Sequence, residues 1–433
     1  MKKIVVVGGG AGGLELTIGL ARRLRRSAKG AITLVDRKMT HMWKPLFHEV
    51  ACGTRGHSGD EISYLSLAEM HGFRFRAGNL IAIDRQAKTV TISGRNSETG
   101  PSIPERTLPY DILVLALGSE PRTFGTPGVQ ENCFFLDTLE QAHRFRGALF
   151  EHCLRIDTNS DPSAKKLNVT IIGGGATGVE LAAELTNAVG RLTQYGFDAF
   201  EPSEAVKVRL VEAAPRLLPV LEENLSALAL GRLNALGVEV MTNCRVAEVA
   251  ADGAVHLGDG TILPSHMTAW VAGIGAPATL RTIAALPLSA AGFIQLRPTL
   301  QIANCDTIFA IGDCAACIDP ASEKPLPPKA QVASQQAAHL ARELARVIRK
   351  GGAPRPFLFR DRGSLVNIGA HSTVGQMMGN LLGTITLDGW LARRAYKYLY
   401  RRHQIAVHGV LRGGMLITSE YLRDRVHPRL KLH

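Results

Sequence analysis

The sequence predicts an α/β fold made of two copies of one strand–turn–helix module, followed by a basic C-terminal region. Three observations carry this prediction. The stretches 4–21 and 169–190 each place a short apolar run before glycines spaced G-x-G-x-x-G, and each continues as a helix-like sequence. Each copy is followed by a second apolar strand that ends in an acid, and later by a strand that ends in glycine. Such a repeat indicates duplicated modules built on parallel sheets.

The glycine turn of the second module has the pattern of a dinucleotide-binding site. Gly173 permits a tight turn, Gly175 lets a pyrophosphate approach the backbone, and Gly178 lets the helix pack closely on the strand. Thr177 lies within the same turn. The free N–H groups and the dipole at the start of the helix favour the negative charge of the phosphates.

The first module repeats this turn at an offset of 165 residues, and Glu15 aligns with Glu180. Its candidate cofactor-binding residues are Gly8, Gly10, Ala11, Gly12 and Gly13. One such motif is weak evidence, but two copies in the same strand–helix context predict two Rossmann-like dinucleotide-binding domains.

The acids at the strand ends indicate which nucleotides bind. Asp36, followed by Arg37, and Glu212 lie where a carboxylate accepts hydrogen bonds from an adenosine ribose. Two dinucleotides suggest a bound flavin and an exchangeable nicotinamide, because hydride transfer needs a cofactor at each end. Glu212 would repel a 2′-phosphate, so NADH is favoured over NADPH. The later strands end at Gly118 and Gly273 in the two modules.

The order of the motifs predicts the domain boundaries. We expect a discontinuous FAD-binding domain at 1–120 and 291–350, with an NADH-binding domain inserted at 165–290. Residues 351–433 form the C-terminal region.

Composition agrees with a globular protein of two or three domains. The 433 residues are 45% hydrophobic and 20% charged. Seven scattered cysteines argue against a disulfide framework and for a reducing compartment. No stretch reaches the length of roughly 18 apolar residues that crosses a bilayer. We therefore expect a peripheral protein at the cytoplasmic face of the membrane or a cytosolic one.

The net charge of +12 is concentrated near the C-terminus, where residues 381–433 contain ten Lys or Arg and three acids. This charge suits an anionic surface. No nucleic-acid-binding signature accompanies it, so we predict a membrane surface bound through 387–433. Residues 387–403 have an imperfect amphipathic helical pattern with Trp390 and three tyrosines. The alternative is a helix that packs on the body or on a second subunit, and a homodimer is left open.

Two segments of the first module add candidate flavin contacts. Residues 41–53, which include Lys44, either line a flavin or form a packed loop. Cys52 is alone there, which excludes paired-cysteine chemistry of the disulfide reductases. The segment 306–316 is an apolar strand that ends in Gly312 and Asp313 and runs into a small-residue helix. Asp313 can accept a hydrogen bond from a ribityl chain, cap that helix, or do both.

The C-terminal part of the first domain holds two further patterns. Cys314 and Cys317 form C-x-x-C without a second pair at metal-site spacing, so we expect structural thiols and predict no metal; redox or metal chemistry there is left open. Gln331 and Gln335 lie on one face of a strong helix at 327–348, beside small residues. Their amides either bond a carbonyl near a flat ring or are simply solvated.

Together the glycine turns, PLFHEVACG, FAIGDCA and the A-Q-x-A-x-Q pattern of 330–335 resemble type II NADH:quinone oxidoreductase over essentially the whole chain. The resemblance implies non-covalent FAD on the first module with Asp313, and NADH on the second. It implies a quinone tunnel beside Gln331 and Gln335, and membrane attachment by the C-terminal region. It places Glu180 near the nicotinamide and flavin, where it either handles protons or stabilises the first turn of its helix.

Three rival functions share parts of this pattern. A sulfide:quinone oxidoreductase needs reactive cysteines near the flavin and no intact NADH turn. A ferredoxin or rubredoxin reductase needs no basic, aromatic tail. A non-enzymatic membrane-binding module needs no pair of complete nucleotide sites.

Overall fold

Two parallel sheets with packed helices form the body of the protein, which confirms the predicted α/β fold. The computed structural model describes residues 2–24, 31–55, 61–94, 100–158, 166–195, 197, 205–283, 286–320, 323–368, 373–379, 383–388, 400–426 and 430.

The first parallel sheet has five strands. Ile4–Val7 lies between Ile32–Asp36 and Ile112–Leu115, while Arg74–Ala77 and Ile308–Ala310 form the two edges. The first, fourth and last of these strands along the chain are buried at every position. Continuous apolar runs of this kind are typical of parallel strands covered on both faces. The sheet therefore draws on two separated parts of the chain.

The second parallel sheet repeats this arrangement with four strands. Leu167–Ile172 lies between Val206–Val211 and Met267–Trp270, and Glu239–Met241 extends the sheet beyond the former. Each sheet thus has its glycine-turn strand flanked by the acid-ending strand and the glycine-ending strand. The duplication predicted from the sequence is confirmed.

Smaller sheets complete the two modules. Each module inserts a three-stranded antiparallel sheet, formed by Leu80–Asp84, Thr89–Ile92 and Arg106–Pro109 in the first and by Val246–Val249, Val255–Leu257 and Ile262–Leu263 in the second. The short strands Glu120–Pro121 and Ile274–Gly275 pair across the modules. The remaining strands are Thr40–His41 with Ile62–Ser63, Ile294–Gln295 with Ala315–Ala316, and Ser364–Asn367 with Thr373–Gly379 and Gly383–Asp388.

Helices are present where the two glycine turns and the segment 327–348 predict them. Ala11–Leu24 and Ala176–Val189 begin within the two glycine turns, as expected. The others are Phe47–Ala51, Tyr64–His71, Val129–Asn132, Leu139–Thr158, Glu223–Ala235, Thr279–Thr282, Ala330–Lys350 and Val410–Val426. Residues 400–408 are also helical.

Small residues let the helix Ala330–Lys350 approach the first glycine turn closely. A Cβ atom on Gly12 would lie 3.3 Å from the Ala333 Cβ, and one on Gly19 would lie 3.1 Å from the Ala341 Cβ. Larger side chains on this face would push the helices apart. The close contact places the start of Ala330–Lys350 beside the turn that follows the first strand.

The C-terminal region corrects the predicted helix at 387–403. Leu387 and Asp388 belong to the strand Gly383–Asp388, and residues 389–399 lie outside the described residues. Residues 400–408 are helical but pack on the body, as the alternative reading expected. The Arg22 guanidinium donates to the carbonyl oxygens of Ala406 and Val407 at 2.9 and 3.1 Å. Within the described ranges, no helix combines the length and apolar content that a bilayer crossing requires.

Candidate active site

The two glycine turns have nearly the same backbone conformation. Gly8 has φ +106° and Gly173 has φ +115°, values that side chains other than glycine rarely adopt. A Cβ on Gly8 would lie 2.1 Å from the Ala116 carbonyl oxygen, and one on Gly173 would lie 2.8 Å from the Ala272 Cα. Glycine at both positions therefore lets the backbone turn sharply after the first strand of the module, close to the backbone that follows the neighbouring strand.

The other motif glycines divide into a packing role and an open role. A Cβ on Gly13 would lie 1.8 Å from the Gly8 oxygen, and one on Gly178 would lie 1.9 Å from the Gly173 oxygen. By contrast, a Cβ on Gly10 or Gly175 would have no atom within 4 Å. The open space lies at the start of each helix, where backbone N–H groups and the dipole attract phosphate.

The acids at the strand ends make the same two contacts in both modules. Asp36 accepts hydrogen bonds from the N–H groups of Gly9 and Lys38 at 2.6 and 2.8 Å. Glu212 accepts hydrogen bonds from the corresponding groups of Gly174 and Ala214 at 2.5 and 2.7 Å. Each carboxylate thus fixes its glycine turn against the end of the next strand.

A cavity of about 1230 Å³ runs between the two turns. It is larger than the roughly 300–1,000 Å³ typical of single-ligand pockets, as a dinucleotide with a second reactant requires. The predicted site residues that line it are Gly8, Gly10, Ala11, Gly12, Gly13, Asp36, Arg37, Lys44, Gly118, Gly175, Thr177, Glu180, Gly312, Asp313, Gln331 and Gln335. Residues distant in the sequence are therefore brought to one site.

Four predicted cofactor-binding residues do not line this cavity. Gly173 and Gly178 act through the turn and packing described above, and Glu212 lies behind Gly174. Gly273 has φ +68°, and a Cβ there would lie 2.5 Å from the Phe124 ring. Glycine at this position therefore leaves room for the Phe124 ring to lie against the backbone.

Asp313 lies at the cavity on a single 3₁₀ turn, Gly312–Cys314. The predicted small-residue helix after it is wrong, because the strand Ala315–Ala316 follows directly, so Asp313 caps no helix. Burial raises the pKa of the Asp313 carboxyl, and the Lys44 ammonium and the Ser119 hydroxyl, which is 3.4 Å away, oppose that rise. The Asp313 carboxyl is therefore a hydrogen-bond acceptor at the cavity.

Gln336, which no sequence motif indicated as a site residue, supports this turn. Its side-chain oxygen accepts the Gly312 N–H at 2.7 Å, and the residue is buried. Gly312 has φ +74°. The helix Ala330–Lys350 thus fixes the residue next to Asp313, and the proximity of Gln336 to Gln331 and Gln335 was the available signal.

Residues 41–53 form a 3₁₀ turn at Lys44–Leu46 and a helix at Phe47–Ala51. Their first half, residues 41–48, lines the cavity. The Lys44 ammonium is hydrogen-bonded to the Asp137 carboxylate, which fixes it at the cavity wall. Cys52 is buried, and burial raises the pKa of its thiol well above the usual value, so this thiol is protonated.

Glu180 is buried at the junction of the second module and the C-terminal part of the chain. Its carboxylate accepts the Asn367 N–H at 3.0 Å. The His48 Nδ1 lies 3.6 Å away, which is longer than a hydrogen bond. Burial lowers the pKa of His48, so that ring is neutral near pH 7. Glu180 comes after the first turn of its helix and faces the cavity, which argues against a simple helix-stabilising acid.

Gln331 and Gln335 line the cavity, and their amides bond the backbone of residues 360–363. Gln331 accepts the Arg362 N–H at 2.8 Å and donates to the Gly363 oxygen at 3.1 Å. Gln335 accepts the Arg360 N–H at 3.1 Å and donates to the Arg360 oxygen at 2.8 Å. Both glutamines therefore hold this segment, here called the 360–363 strap, over one end of the cavity.

Cys314 and Cys317 have the properties of structural thiols. Both are buried and free. Burial raises the pKa of the Cys314 thiol to about 12 and also raises that of Cys317. Thiols in this state are poor nucleophiles. No group of three or more His, Cys, Asp or Glu suited to a metal ion occurs within the described residues.

Comparisons with known proteins agree with this geometry. A family model for pyridine nucleotide-disulphide oxidoreductases matches residues 2–337. The type II NADH:quinone oxidoreductase of Haemophilus influenzae is 38% identical, with 100% of both chains covered. The NDH2 of Plasmodium falciparum in complex with NADH superposes with a TM-score of 0.82 at 18% identity, covering 99% of this chain and 100% of that one.

A rival scaffold is also similar. The sulfide:quinone oxidoreductase of Aquifex aeolicus superposes with a TM-score of 0.71 at 20% identity, covering 94% of this chain and 92% of that one. At these identities, both structural matches establish the fold alone. The family model and the full-length relative go further: the chain belongs to the pyridine nucleotide-disulphide oxidoreductases and, among them, to the type II NADH:quinone oxidoreductase family.

Proposed function

We propose that this protein oxidises NADH through non-covalently bound FAD and reduces a membrane quinone without pumping protons. The observation that carries this proposal is the cavity shared by both glycine turns and by the start of the helix Ala330–Lys350. A flavin seated there would contact a nicotinamide from the second module and a second acceptor from the helix side.

FAD fits the first part of the cavity. The open space at Gly10 and the N–H groups after it suit a pyrophosphate. Asp36 suits the adenosine ribose, and the half-buried acceptor Asp313 suits the ribityl chain. We assign Gly8, Ala11, Gly12, Gly13, Arg37, Lys44, Gly118 and Gly312 to the same binding surface, within a domain at 1–120 and 291–350.

NADH fits the second turn. Gly175 leaves open space for its pyrophosphate, and Thr177 lies beside that space. Glu212 supplies the negative charge that disfavours a 2′-phosphate, although its present hydrogen bonds go to the turn itself. We assign these residues, together with the turn glycines Gly173 and Gly178 and the strand-end Gly273, to the NADH-binding domain at 165–290.

The bound flavin would supply the step from a two-electron hydride donor to a quinone acceptor. The residues of the chain position the reactants around it, and positioning alone can lower a barrier by several kcal/mol. We assign Glu180 to proton handling at the nicotinamide side, because it is buried at the cavity. Gln331 and Gln335 position the 360–363 strap at the quinone side, which gives them an indirect role in holding that substrate.

The membrane surface is assigned to the C-terminal region, on the cytoplasmic face. The helix Val410–Val426 exposes Val410, Leu411, Met415, Leu416, Tyr421 and Leu422, with 37–81% of each residue accessible. Leu411, Met415 and Leu422 recur on one helical face. Exposed apolar side chains on a helix of this basic C-terminal region suit binding in the plane of an anionic membrane. Coverage by a second copy of the chain is the alternative, and this would make a homodimer.

The test is anaerobic stopped-flow absorbance in two mixes. NADH should bleach the flavin, and a short-chain quinone added next should restore the oxidised spectrum. Sulfide in place of NADH should leave the flavin oxidised, because the buried Cys52 and Cys314 thiols are protonated. Bleaching by sulfide, or reoxidation by ferredoxin and not by quinone, would replace this proposal with one of its rivals.

A further inference from the structure

Four polar side chains from distant parts of the sequence form one hydrogen-bonded chain at the cavity. The Ser334 hydroxyl donates to Glu15 Oε2 at 2.6 Å, and Glu15 Oε1 lies 2.8 Å from His403 Nδ1. His403 Nε2 lies 2.9 Å from His41 Nε2, and His41 Nδ1 lies 3.0 Å from the Gly9 oxygen. All four side chains line the cavity. These hydrogen bonds link the helix Ala11–Leu24, which carries Glu15, to the helix Ala330–Lys350, which carries Ser334. They also link both helices to the C-terminal helical segment 400–408, which carries His403.

The distances fix where hydrogens lie in this chain. The Gly9 carbonyl can only accept, so His41 Nδ1 carries a hydrogen and donates it. Burial lowers the pKa of His41 to about 3, so this ring is neutral and its Nε2 is bare. His403 Nε2 must therefore donate to His41. The contact between His403 Nδ1 and Glu15 then needs one more hydrogen, on either the imidazole or the carboxyl.

The Glu15–His403 pair consequently holds one exchangeable proton while the chain is intact. His41 and His408 are titratable groups that interact electrostatically with His403, while Tyr64 lies near the His41 ring and the Arg22 charge acts on His408. Of these, His41 is neutral, and burial also lowers the pKa of His408. Trp43 lies against the His403 ring, with the ring centroids 4.2 Å apart. An aromatic face of this kind favours a cation beside it.

The duplication gives this pair a counterpart. Glu15 and Glu180 occupy the same position after their glycine turns, and each has a buried histidine next to its carboxylate. The contact is a hydrogen bond at 2.8 Å for Glu15 and a longer 3.6 Å approach for Glu180. Ser334, which fixes Glu15, lies between Gln331 and Gln335 on the helix assigned to the quinone side. The Glu15 pair therefore belongs to the quinone end.

We propose that Glu15 and His403 together donate one of the two protons taken up by the quinone. This inference rests on the proposed function and names the proton donor for its second half-reaction. A bound flavin in its reduced form would supply both electrons. An O–H bond forms on one quinone oxygen, and the bond between the shared proton and the Glu15–His403 pair breaks.

The same hydrogen-bond chain favours recovery of the proton. After donation, the neutral His403 ring carries one hydrogen and can donate it either to Glu15 or to His41. One of the two short contacts then brings two acceptors together without a hydrogen. Such a contact is costly in a low-dielectric interior, so the pair takes up a proton again before the next turnover.

The test compares the two half-reactions in Glu15→Gln. The glutamine amide can accept from Ser334 and donate to a neutral His403, so the packing is kept and the exchangeable proton is removed. NADH should bleach the flavin within about twofold of the wild-type rate. Reoxidation by a short-chain quinone near pH 7 should slow about 100-fold, the usual contribution of a positioned general acid. Glu15→Asp keeps a carboxyl and should recover part of that rate.

The matched control is His71→Gln. His71 Nε2 lies 2.9 Å from the Val407 oxygen and so ties the same segment to the body from outside the cavity. Both half-reactions should stay within about twofold of wild type. If Glu15→Gln reoxidises at the wild-type rate, the donor assignment is wrong. If wild-type flavin is not bleached by NADH, the proposed function itself fails, and the two failures are distinguishable.

A second readout needs no turnover. In the oxidised holoprotein with ¹⁵N-labelled histidine, the ring signals removed by His403→Gln and His41→Gln identify the two residues. His403 Nε2 should carry a hydrogen near pH 7, and His41 should be neutral with its hydrogen on Nδ1. A bare His403 Nε2 would overturn the proton assignment whatever the kinetics show.

Discussion

At the residue scale, glycines that look equivalent in the motif are required for different physical reasons. Gly175 faces open space, whereas Gly178 lies so close to the Gly173 oxygen that a Cβ would be 1.9 Å from it. The motif predicts open space for a pyrophosphate at Gly175 and close packing of the helix on the strand at Gly178. The structure separates one that a ligand would need from one that the fold needs.

This difference gives a paired prediction. Gly175→Ala should keep the melting temperature and raise the KM for NADH about tenfold or more, a loss of about 1.4 kcal/mol per factor of ten. Gly178→Ala should lower the free energy of unfolding by roughly 1–3 kcal/mol, because its methyl group overlaps backbone. Thermal melts and steady-state kinetics measure both. Equal effects of the two variants on stability would contradict the division.

Which side chains line the site was largely predictable, whereas their partners were not. Asp36, Asp313 and Glu180 follow motif positions that local sequence reveals. These partners are far apart in the sequence. Gln335 contacts Arg360 of the 360–363 strap, 25 positions away, and Glu15 contacts His403, 388 positions away. No local pattern specifies such pairings. The repeat that aligns Glu15 with Glu180 was the one sequence signal for that pair.

At the element scale, the strands and helices of the two modules follow their apolar runs closely, and the C-terminal region does not. The predicted helix at 387–403 merged a strand end with part of a helix. Gly409, at φ +84°, separates the helical segment 400–408 from Val410–Val426. Glycine in this conformation commonly ends a helix. The buried His403 and Val407 lie before it, and the exposed apolar residues follow it.

The helix Val410–Val426 therefore gives the membrane prediction. Replacing Leu411, Met415 and Leu422 by serine should release the protein from anionic vesicles while NADH still bleaches the flavin. Each large apolar side chain contributes roughly 1.5–3 kcal/mol when it leaves water, so the partition coefficient should fall at least about 100-fold. Ser419→Ala, on the same helix, is the control. Unchanged flotation, together with a change from dimer to monomer, would assign this face to a second copy of the chain.

At the scale of the whole molecule, duplication explains the architecture. Two modules with the same strand order, the same inserted antiparallel sheet and the same acid-to-turn hydrogen bonds contribute to one cavity. The sequence predicts the modules because their motifs are local. It does not predict the shared cavity, because that depends on packing between segments such as Ala11–Leu24 and Ala330–Lys350.

The most direct measurement is an anaerobic titration of the purified holoprotein with NADH, followed by absorbance. If both nucleotides meet in this cavity, the protein should carry about one FAD per chain, and about one equivalent of NADH should bleach it fully. A colourless protein that stays inactive when supplied with FAD would contradict the account. So would a bound flavin that NADH does not reduce.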